Sequence, residues 1–244
     1  MKIFSSSVLR ASGLTIIATG ISGALGAIFY FYTARILGPV EFGLLILTIT
    51  ILTLITDISE LGVNTTIVRF IPADLVSGAD KVRRMLELVL KVKLAIGVLL
   101  LIVGLVVVEP VSLLFGKSEL TPLLRISLMG ILGLHLFSFL TSMLQALQRF
   151  QVWSVVMIGS NLLRLLLVAL VGSYLVKSSE LILLIFVLAP LIASLYLFKY
   201  ISPLSLTKNF LDRETAIKIF GYSKWVALFT LIAAVSARLD TFLV

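Results

Sequence analysis

Residues 11–34 form a stretch of 24 residues without a single charged side chain. A helix needs about 20 consecutive, mainly apolar residues to cross the hydrocarbon core of a bilayer. Seven stretches of this kind occur along the chain, and connectors with Gly, Pro or charged residues separate them. They are 11–36, 42–71, 86–108, 123–147, 152–176, 181–198 and 225–244. The sequence therefore predicts an all-α fold, a polytopic transmembrane helical bundle.

The amino-acid composition excludes the main classes of soluble protein. Hydrophobic residues make up 60% of the chain and charged residues 13%, against about 45–50% and about 25% in soluble domains. A net charge of +8 is explained in a membrane protein by its cytoplasmic loops, so we expect no nucleic-acid partner. No phosphate-cradling loop and no catalytic constellation is found in the sequence. We predict that the protein is not an enzyme.

The distribution of lysine and arginine predicts the orientation of the bundle. With the N-terminus in the cytoplasm, twelve basic residues fall in the inner connectors, four in the outer ones and four within the spans. Basic residues accumulate in short cytoplasmic loops. We therefore expect a multi-pass protein of the cell (plasma) membrane with a cytoplasmic N-terminus.

The order of the spans suggests that the chain is part of a longer transporter. We expect a six-helix bundle over residues 1–200 and a cytoplasmic linker with a short interfacial helix over 201–224. The seventh span, 225–244, is still apolar where the sequence stops. We interpret it as the first helix of a second bundle, so the partner of the first bundle is either a missing C-terminal half or a second copy of the chain.

Acidic residues inside the second span are candidates for ion coupling. Asp57 and Glu60 are three residues apart and Asn64 follows four residues later, so the three share one helix face. Charged side chains at membrane depth are costly and are often functional. Asp57 is the candidate to couple a proton or a sodium ion, and no other cofactor is expected. For Glu60 we favour a helix break near the cytoplasmic interface, because Leu-Gly follows it.

Basic residues inside the spans are candidates to bind an anionic substrate. Arg164 lies at the middle of the fifth span with Asn161 one turn before it. A buried guanidinium must be paired or line a wet cavity, and it can grip a phosphate with two hydrogen bonds. A structural ion pair with Asp57 is the open alternative. Lys91 and Lys93, near the start of the third span, either reach an anionic head group or extend to the interface.

The single histidine, His135, lies near the middle of the fourth span. We interpret it as an interhelical hydrogen-bonding residue, with a proton relay as the alternative. It has no cysteine or second histidine to form a metal site with, so we predict no metal.

Three short motifs resemble one known family. The sequence Ala-Arg-Ile-Leu-Gly-Pro-Val-Glu-Phe-Gly over 34–43 resembles the first hairpin of the polysaccharide flippases, a branch of the multidrug/oligosaccharidyl-lipid/polysaccharide exporter superfamily. Leu-Gly-Val at 61–63 and Val-Arg-Phe-Ile at 68–71 are similar to the end of that family's second helix. Arg-Leu-Asp at 238–240 is similar to the motif that opens its second half.

The resemblance implies a transporter of the polysaccharide export type. Such a protein flips a polyprenyl-pyrophosphate-linked oligosaccharide from the inner to the outer leaflet by alternating access, so the partners implied are a lipid-linked glycan and membrane lipids. Arg164, Asn161, Lys91 and Lys93 are then the candidate substrate-binding residues. Two alternatives stay open: a multidrug or cation exporter of the same superfamily, and a membrane scaffold without transport activity.

Overall fold

The regular structure of the described residues is entirely helical. The computed structural model describes residues 6–75, 78–174, 178–201 and 213–236. Eight helices are found in these ranges, and this confirms the predicted all-α class. They are α1 (Ser6–Leu37), α2 (Pro39–Ser59), α3 (Val63–Asp74), α4 (Ala79–Leu114), α5 (Leu120–Ala146), α6 (Phe150–Tyr174), α7 (Ser179–Ile201) and α8 (Arg213–Ser236).

Six of these helices are long and apolar enough to cross a membrane. They contain the spans Leu9–Leu37, Pro39–Ser59, Ala79–Leu114, Leu120–Ala146, Phe150–Gly172 and Ser179–Leu197. A shorter apolar stretch, Ile219–Ala233, belongs to α8. Because an α-helix rises about 1.5 Å per residue, each of the six can span a hydrocarbon core of about 30 Å.

Short turns connect the spans and define two ends of the bundle. We name the end that carries Gly78 and Arg149 the proximal end, and the end that carries Gly38 and Gly116 the distal end. At the distal end Gly38 has a positive φ of 76° and Pro39 begins α2. Proline fits the first turn of a helix because its missing N–H has no intrahelical partner there. The predicted Gly-Pro connector is therefore a tight turn between two spans.

The second predicted span, 42–71, is divided into two helices. α2 ends at Ser59 and α3 begins at Val63. Between them Leu61 and Gly62 have φ angles of 48° and 68°, both in the left-handed region. Two successive residues of this kind end the regular α-helical geometry. The expectation of one continuous span was wrong. The helix break favoured at Glu60 is found, but the twelve residues of α3 follow it, so it lies inside the bundle and not near the interface.

The apolar interior consists of two clusters, one near each end of the bundle. The proximal core includes Ile67, Met85 and Phe139 from α3, α4 and α5. The distal core includes Leu45 and Leu120 from α2 and α5. Along α5 the two clusters meet between Ile131 and Phe139, and this is the segment that carries His135 and Ser138. A polar layer therefore separates the two apolar cores.

Helix α8 runs continuously from Arg213 to Ser236. A separate short interfacial helix and a span that begins at residue 225 were expected, so the structure differs from that expectation. The helix packs against α3, where Thr66 Oγ1 and Ser223 Oγ are 2.7 Å apart. The Arg69 guanidinium lies 4.5 Å from the centre of the Tyr222 ring. Residues 202–212 and 237–244, including the Arg-Leu-Asp motif, lie outside the described residues, and the division into two bundles stays a prediction.

We predict that Gly62→Ala weakens the attachment of α8. A Cβ at Gly62 would lie 2.6 Å from Val226 Cβ, and the φ of 68° adds strain for any L side chain. The sequence contains no cysteine, so the pair Thr66→Cys and Ser223→Cys reports helix docking without background. We expect this pair to form a disulfide readily, and Gly62→Ala to reduce its yield.

The control is Gly43→Ala in α2. A Cβ at Gly43 meets nothing within 4 Å and its backbone is helical, so this change should leave the disulfide yield unaltered. Equal yields in the Gly62 and Gly43 variants would show that the close approach to α8 is not needed.

Candidate functional site

A buried ion pair lies in the polar layer between the two cores. Lys93 Nζ of α4 is 3.4 Å from Glu60 Oε1, at the break between α2 and α3. Lys93 is 2% exposed. It lies 14 residues after the first residue of α4, which places it about 21 Å along the helix. Its ammonium group is thus held inside the protein and does not extend to the interface, which was one of the two expectations for this residue.

Hydrogen bonds from neighbouring side chains stabilise the ion pair. Asn64 Nδ2 donates to Glu60 Oε1 at 2.8 Å, and Ser138 Oγ donates to the same oxygen. Lys93 Nζ donates to Ser138 Oγ at 3.1 Å. A buried ion pair is tolerated only when such hydrogen bonds offset the loss of hydration. Glu60, Asn64, Lys93 and Ser138 thus form one connected cluster, which we call the Lys93 cluster.

The polar layer also contains unused hydrogen-bonding capacity. His135 Nε2 of α5 is 3.0 Å from Ser59 Oγ of α2, an interhelical hydrogen bond as expected for this residue. Within the described residues, His135 Nδ1 and Asn64 Oδ1 are buried without a hydrogen-bond partner. Buried polar atoms are usually satisfied by the protein or by water. Two buried polar atoms of the layer are therefore left unsatisfied by the described side chains.

Arg164 is stabilised by aromatic rings. Its guanidinium carbon lies 4.0 Å from the centre of the Phe186 ring and 5.7 Å from that of Phe29. An aromatic face attracts a cation through its quadrupole. Arg164 Nε is buried without a hydrogen-bond partner, and no carboxylate in the described part of the chain is within ion-pair distance of this arginine. The alternative of a structural ion pair with Asp57 is therefore not formed.

The predicted site residues occupy different parts of the bundle. The neighbours of Arg164 come from α1 and α7, whereas those of Lys93 come from the α2–α3 break and α5. Asn161 donates its amide to the Met157 carbonyl of its own helix at 2.9 Å. Lys91 is half-buried, and its position two residues from Lys93 puts it on another face of α4. Arg164 and Lys93 thus belong to two separate sites.

The acidic face predicted for the second span is formed in part. Glu60 and Asn64 are joined directly, and Asp57 lies one turn before Glu60 on α2 and is half-buried. Ser138 was missed, because a serine in an apolar helix carries no distinguishing signal. The pairing of Glu60 with Lys93 was missed as well. The available signal was that the spans contain an acidic residue, Glu60, and a basic residue, Lys93, at membrane depth, where each charge requires a partner.

Comparison with known proteins identifies the family. The model of the family described as "Polysaccharide biosynthesis protein" matches residues 8–244. The chain belongs to this family. A search among curated proteins gave no significant match.

Two solved structures share the fold of this member of the polysaccharide biosynthesis family. One is described as "Reverse polarity of binding pocket suggests different function of a MOP superfamily transporter from Pyrococcus furiosus Vc1 (DSM3638)" and matches with a TM-score of 0.75 and 14% identity over 97% of this chain. The other, "Outward-facing conformation of a multidrug resistance MATE family transporter of the MOP superfamily", matches with a TM-score of 0.70 and 17% identity over 92% of this chain.

The chain spans about half the length of both structures, 54% of the first and 52% of the second. Its six apolar helices and this shared fold make it a multi-pass membrane protein. The polar layer described above therefore lies inside a membrane-spanning bundle, where a charge without a partner is strongly disfavoured.

We predict that Lys93→Met lowers the free energy of unfolding by about 3–5 kcal/mol, because it leaves the Glu60 carboxylate buried without its partner. The double variant Lys93→Met/Glu60→Gln removes both charges and should recover much of this loss. Thermal or denaturant unfolding in detergent micelles measures both effects.

The matched control is the exposed ion pair of Arg125 and Glu109. Its Nη2–Oε1 distance is 2.7 Å, and the two side chains are 59% and 69% exposed. Arg125→Gln should lower the free energy of unfolding by about 1 kcal/mol or less, since exposed pairs contribute little. If Lys93→Met is no more destabilising than Arg125→Gln, the ion pair does not stabilise the bundle.

Proposed function

We propose that this protein is a membrane transporter that flips a polyprenyl-pyrophosphate-linked oligosaccharide from the inner to the outer leaflet of the cell membrane. Its family membership and its MOP-type fold support transport linked to polysaccharide biosynthesis. The observation that carries the choice of cargo is the presence of two cations inside the spans, Lys93 and Arg164. An anionic pyrophosphate is the group that such side chains bind well.

Lys93 is suited to a reversible contact with the cargo. In this structure its ammonium group donates hydrogen bonds to Glu60 and Ser138. A phosphate oxygen that replaces the Glu60 carboxylate keeps the charge of Lys93 compensated, so the exchange avoids a buried, unpaired cation. The Glu60 side chain is 23% exposed, so this carboxylate lies at the accessible edge of the Lys93 cluster. We therefore propose that Glu60 and the pyrophosphate alternate as partners of Lys93.

The break between α2 and α3 is the proposed site of movement. Leu61 and Gly62 form the only non-helical connection between the segments that carry Ser59 and Asn64. Hinges are short segments at the ends of helices that absorb changes in φ and ψ. A rotation at this point displaces Glu60 relative to Lys93 and exposes the ammonium group. Alternating access then follows from rocking one bundle against another.

The remaining candidate residues receive proposed roles in this cycle. Arg164, with Asn161 on the same helix, contacts the pyrophosphate at the second site, and Lys91 contacts it nearer the cytoplasmic opening. Asp57 couples a proton or sodium ion, because it shares a helix face with Glu60 and lies one turn away. The N-terminus is cytoplasmic in this proposal. A second bundle, from further sequence or from a second copy of the chain, supplies the opposite wall of the pathway.

We predict that Lys93→Gln lowers the rate of flipping by at least about tenfold, since a charge-assisted hydrogen bond contributes about 1.5–3 kcal/mol. The assay reconstitutes the protein in vesicles and follows a fluorescent polyprenyl-pyrophosphate oligosaccharide from one leaflet to the other. Arg83→Gln is the control, because Arg83 lies on the same helix, is exposed and pairs with Glu87. It should change the rate by about twofold or less.

A charge swap separates the transport role of Lys93 from its structural role. Lys93→Glu combined with Glu60→Lys retains an ion pair at the same place, so the protein should remain folded, as judged by its thermal unfolding. The positive charge is then carried by residue 60 and not by residue 93. Because the proposed cargo contact requires the charge at position 93, flipping should still be lost. Flipping at the wild-type rate in Lys93→Gln or in the swapped variant would disprove the proposed cargo contact.

We also predict that Asp57→Asn abolishes the stimulation of flipping by a proton or sodium gradient, while flipping without a gradient continues. The rate is compared with and without each gradient in the same vesicles. A variant that responds to the gradient like the wild type would contradict a coupling role. Efflux of a cationic dye that requires Asp57, with no flipping of the glycan, would favour the multidrug exporter instead.

A further inference from the structure

The proximal end of the bundle contains a basic cavity that the proposed transport site does not use. It lies between the start of α1 and the turn from α5 to α6 and has a volume of about 570 Å³. Four of its lining residues are Arg10, Gln148, Arg149 and Gln151, and none of the described lining residues is acidic. The described lining of the cavity therefore offers positive charge and hydrogen-bond donors.

The cavity lies at the boundary of the membrane. Arg10 comes directly before the uncharged stretch 11–34, and Arg149 comes directly before the span Phe150–Gly172. Both arginines are exposed at the surface of the helical bundle. The starts of these two spans lie at the same end of the bundle, so both guanidinium groups are placed at one bilayer surface. This is the level at which the phosphate groups of lipids lie.

The first turn of α6 adds to the positive potential of the cavity. The helix has 25 residues, and it begins at Phe150 beside Arg149. The first backbone N–H groups of a helix have no intrahelical acceptor, and the helix dipole places partial positive charge there. Anions bind well at such an end when side chains also contribute. Here Arg149 and Gln151 flank this turn within the cavity wall.

In the turn between α5 and α6, Gln148 occupies a backbone position that is most often glycine. Gln148 has a φ of 57°. Its N–H donates to the Gln145 carbonyl at 2.9 Å, and the Arg149 N–H donates to the Leu144 carbonyl at 2.8 Å. These two bonds form a Schellman motif, in which this left-handed position is most often glycine. The strained position is thus occupied by an amide side chain that lines the cavity.

We propose that this cavity binds the phosphate group of an anionic membrane lipid. Arg10 and Arg149 donate hydrogen bonds to the phosphate oxygens, in the forked geometry that guanidinium groups form with phosphate. Gln148 and Gln151 donate from their amides. The cavity also has apolar lining residues, Leu14 and Val152 among them, which give the acyl chains of a lipid a surface that free phosphate cannot use. The proposal is independent of which cargo the protein transports.

The test compares the lipids retained by the purified full chain in native mass spectrometry. Detergent micelles are supplied with phosphatidylglycerol or with phosphatidylcholine, whose choline neutralises its phosphate. The wild type should retain phosphatidylglycerol preferentially. Arg10→Gln/Arg149→Gln should weaken this retention by at least about tenfold, since two charge-assisted contacts are lost. The control Lys81→Gln/Arg83→Gln removes two positive charges from α4, also at the proximal end of the bundle. It should change the retention of phosphatidylglycerol by about twofold or less.

Further variants and a second ligand distinguish the possible outcomes. Arg10→Lys/Arg149→Lys keeps the charge and should restore part of the retention. Gln148→Gly relieves the strained backbone, so it should raise the unfolding temperature and yet reduce lipid retention. Equal losses in the cavity and control variants would overturn the proposal, because only the net charge would then matter. Displacement of phosphatidylglycerol by millimolar inorganic phosphate would overturn the assignment to a lipid.

Discussion

The ion pair between Lys93 and Glu60 constrains the whole arrangement of helices. A lysine buried at this depth requires a carboxylate and additional hydrogen bonds, so α4 must pack in the one register that brings Nζ to Glu60 and to Ser138 of α5. With α4 and α5 packed in this register, apolar residues lie on both sides of the ion pair. The proximal core and the distal core are therefore two clusters on either side of one polar layer.

The ion pair, the helix break and the position of α8 depend on one another. Glu60 reaches Lys93 from the end of α2, where Leu61 and Gly62 reverse the sign of φ. Gly62 is also a point of close approach between the break and α8, since a methyl group there overlaps Val226. A movement of α8 thus acts directly on the segment that holds Glu60.

The sequence predicted the spans well because lack of charge over about 20 residues is a strong, local signal. It also predicted the break, since Gly62 follows Glu60. The pairing of Glu60 with Lys93 was not predictable, because the residues are 33 positions apart and only packing brings them together. The aromatic neighbours of Arg164 come from α1 and α7 for the same reason. The start of α8 was misplaced because charged residues were interpreted as a linker, although Arg213 and its neighbours continue the same helix.

The two cations inside the spans, Lys93 and Arg164, are compensated in different ways, and this difference gives an order to their proposed contacts with an anion. The rings of Phe186 and Phe29 stabilise Arg164 without cancelling its charge. Glu60 compensates the charge of Lys93 by an ion pair. In the proposed cycle Arg164 therefore attracts the anion in the conformation described here, whereas Lys93 attracts it only after Glu60 moves away. In the proposed cycle the two separate sites therefore hold a permanent cation and a switchable cation, and closure of the Glu60–Lys93 pair ends the contact of the anion with Lys93.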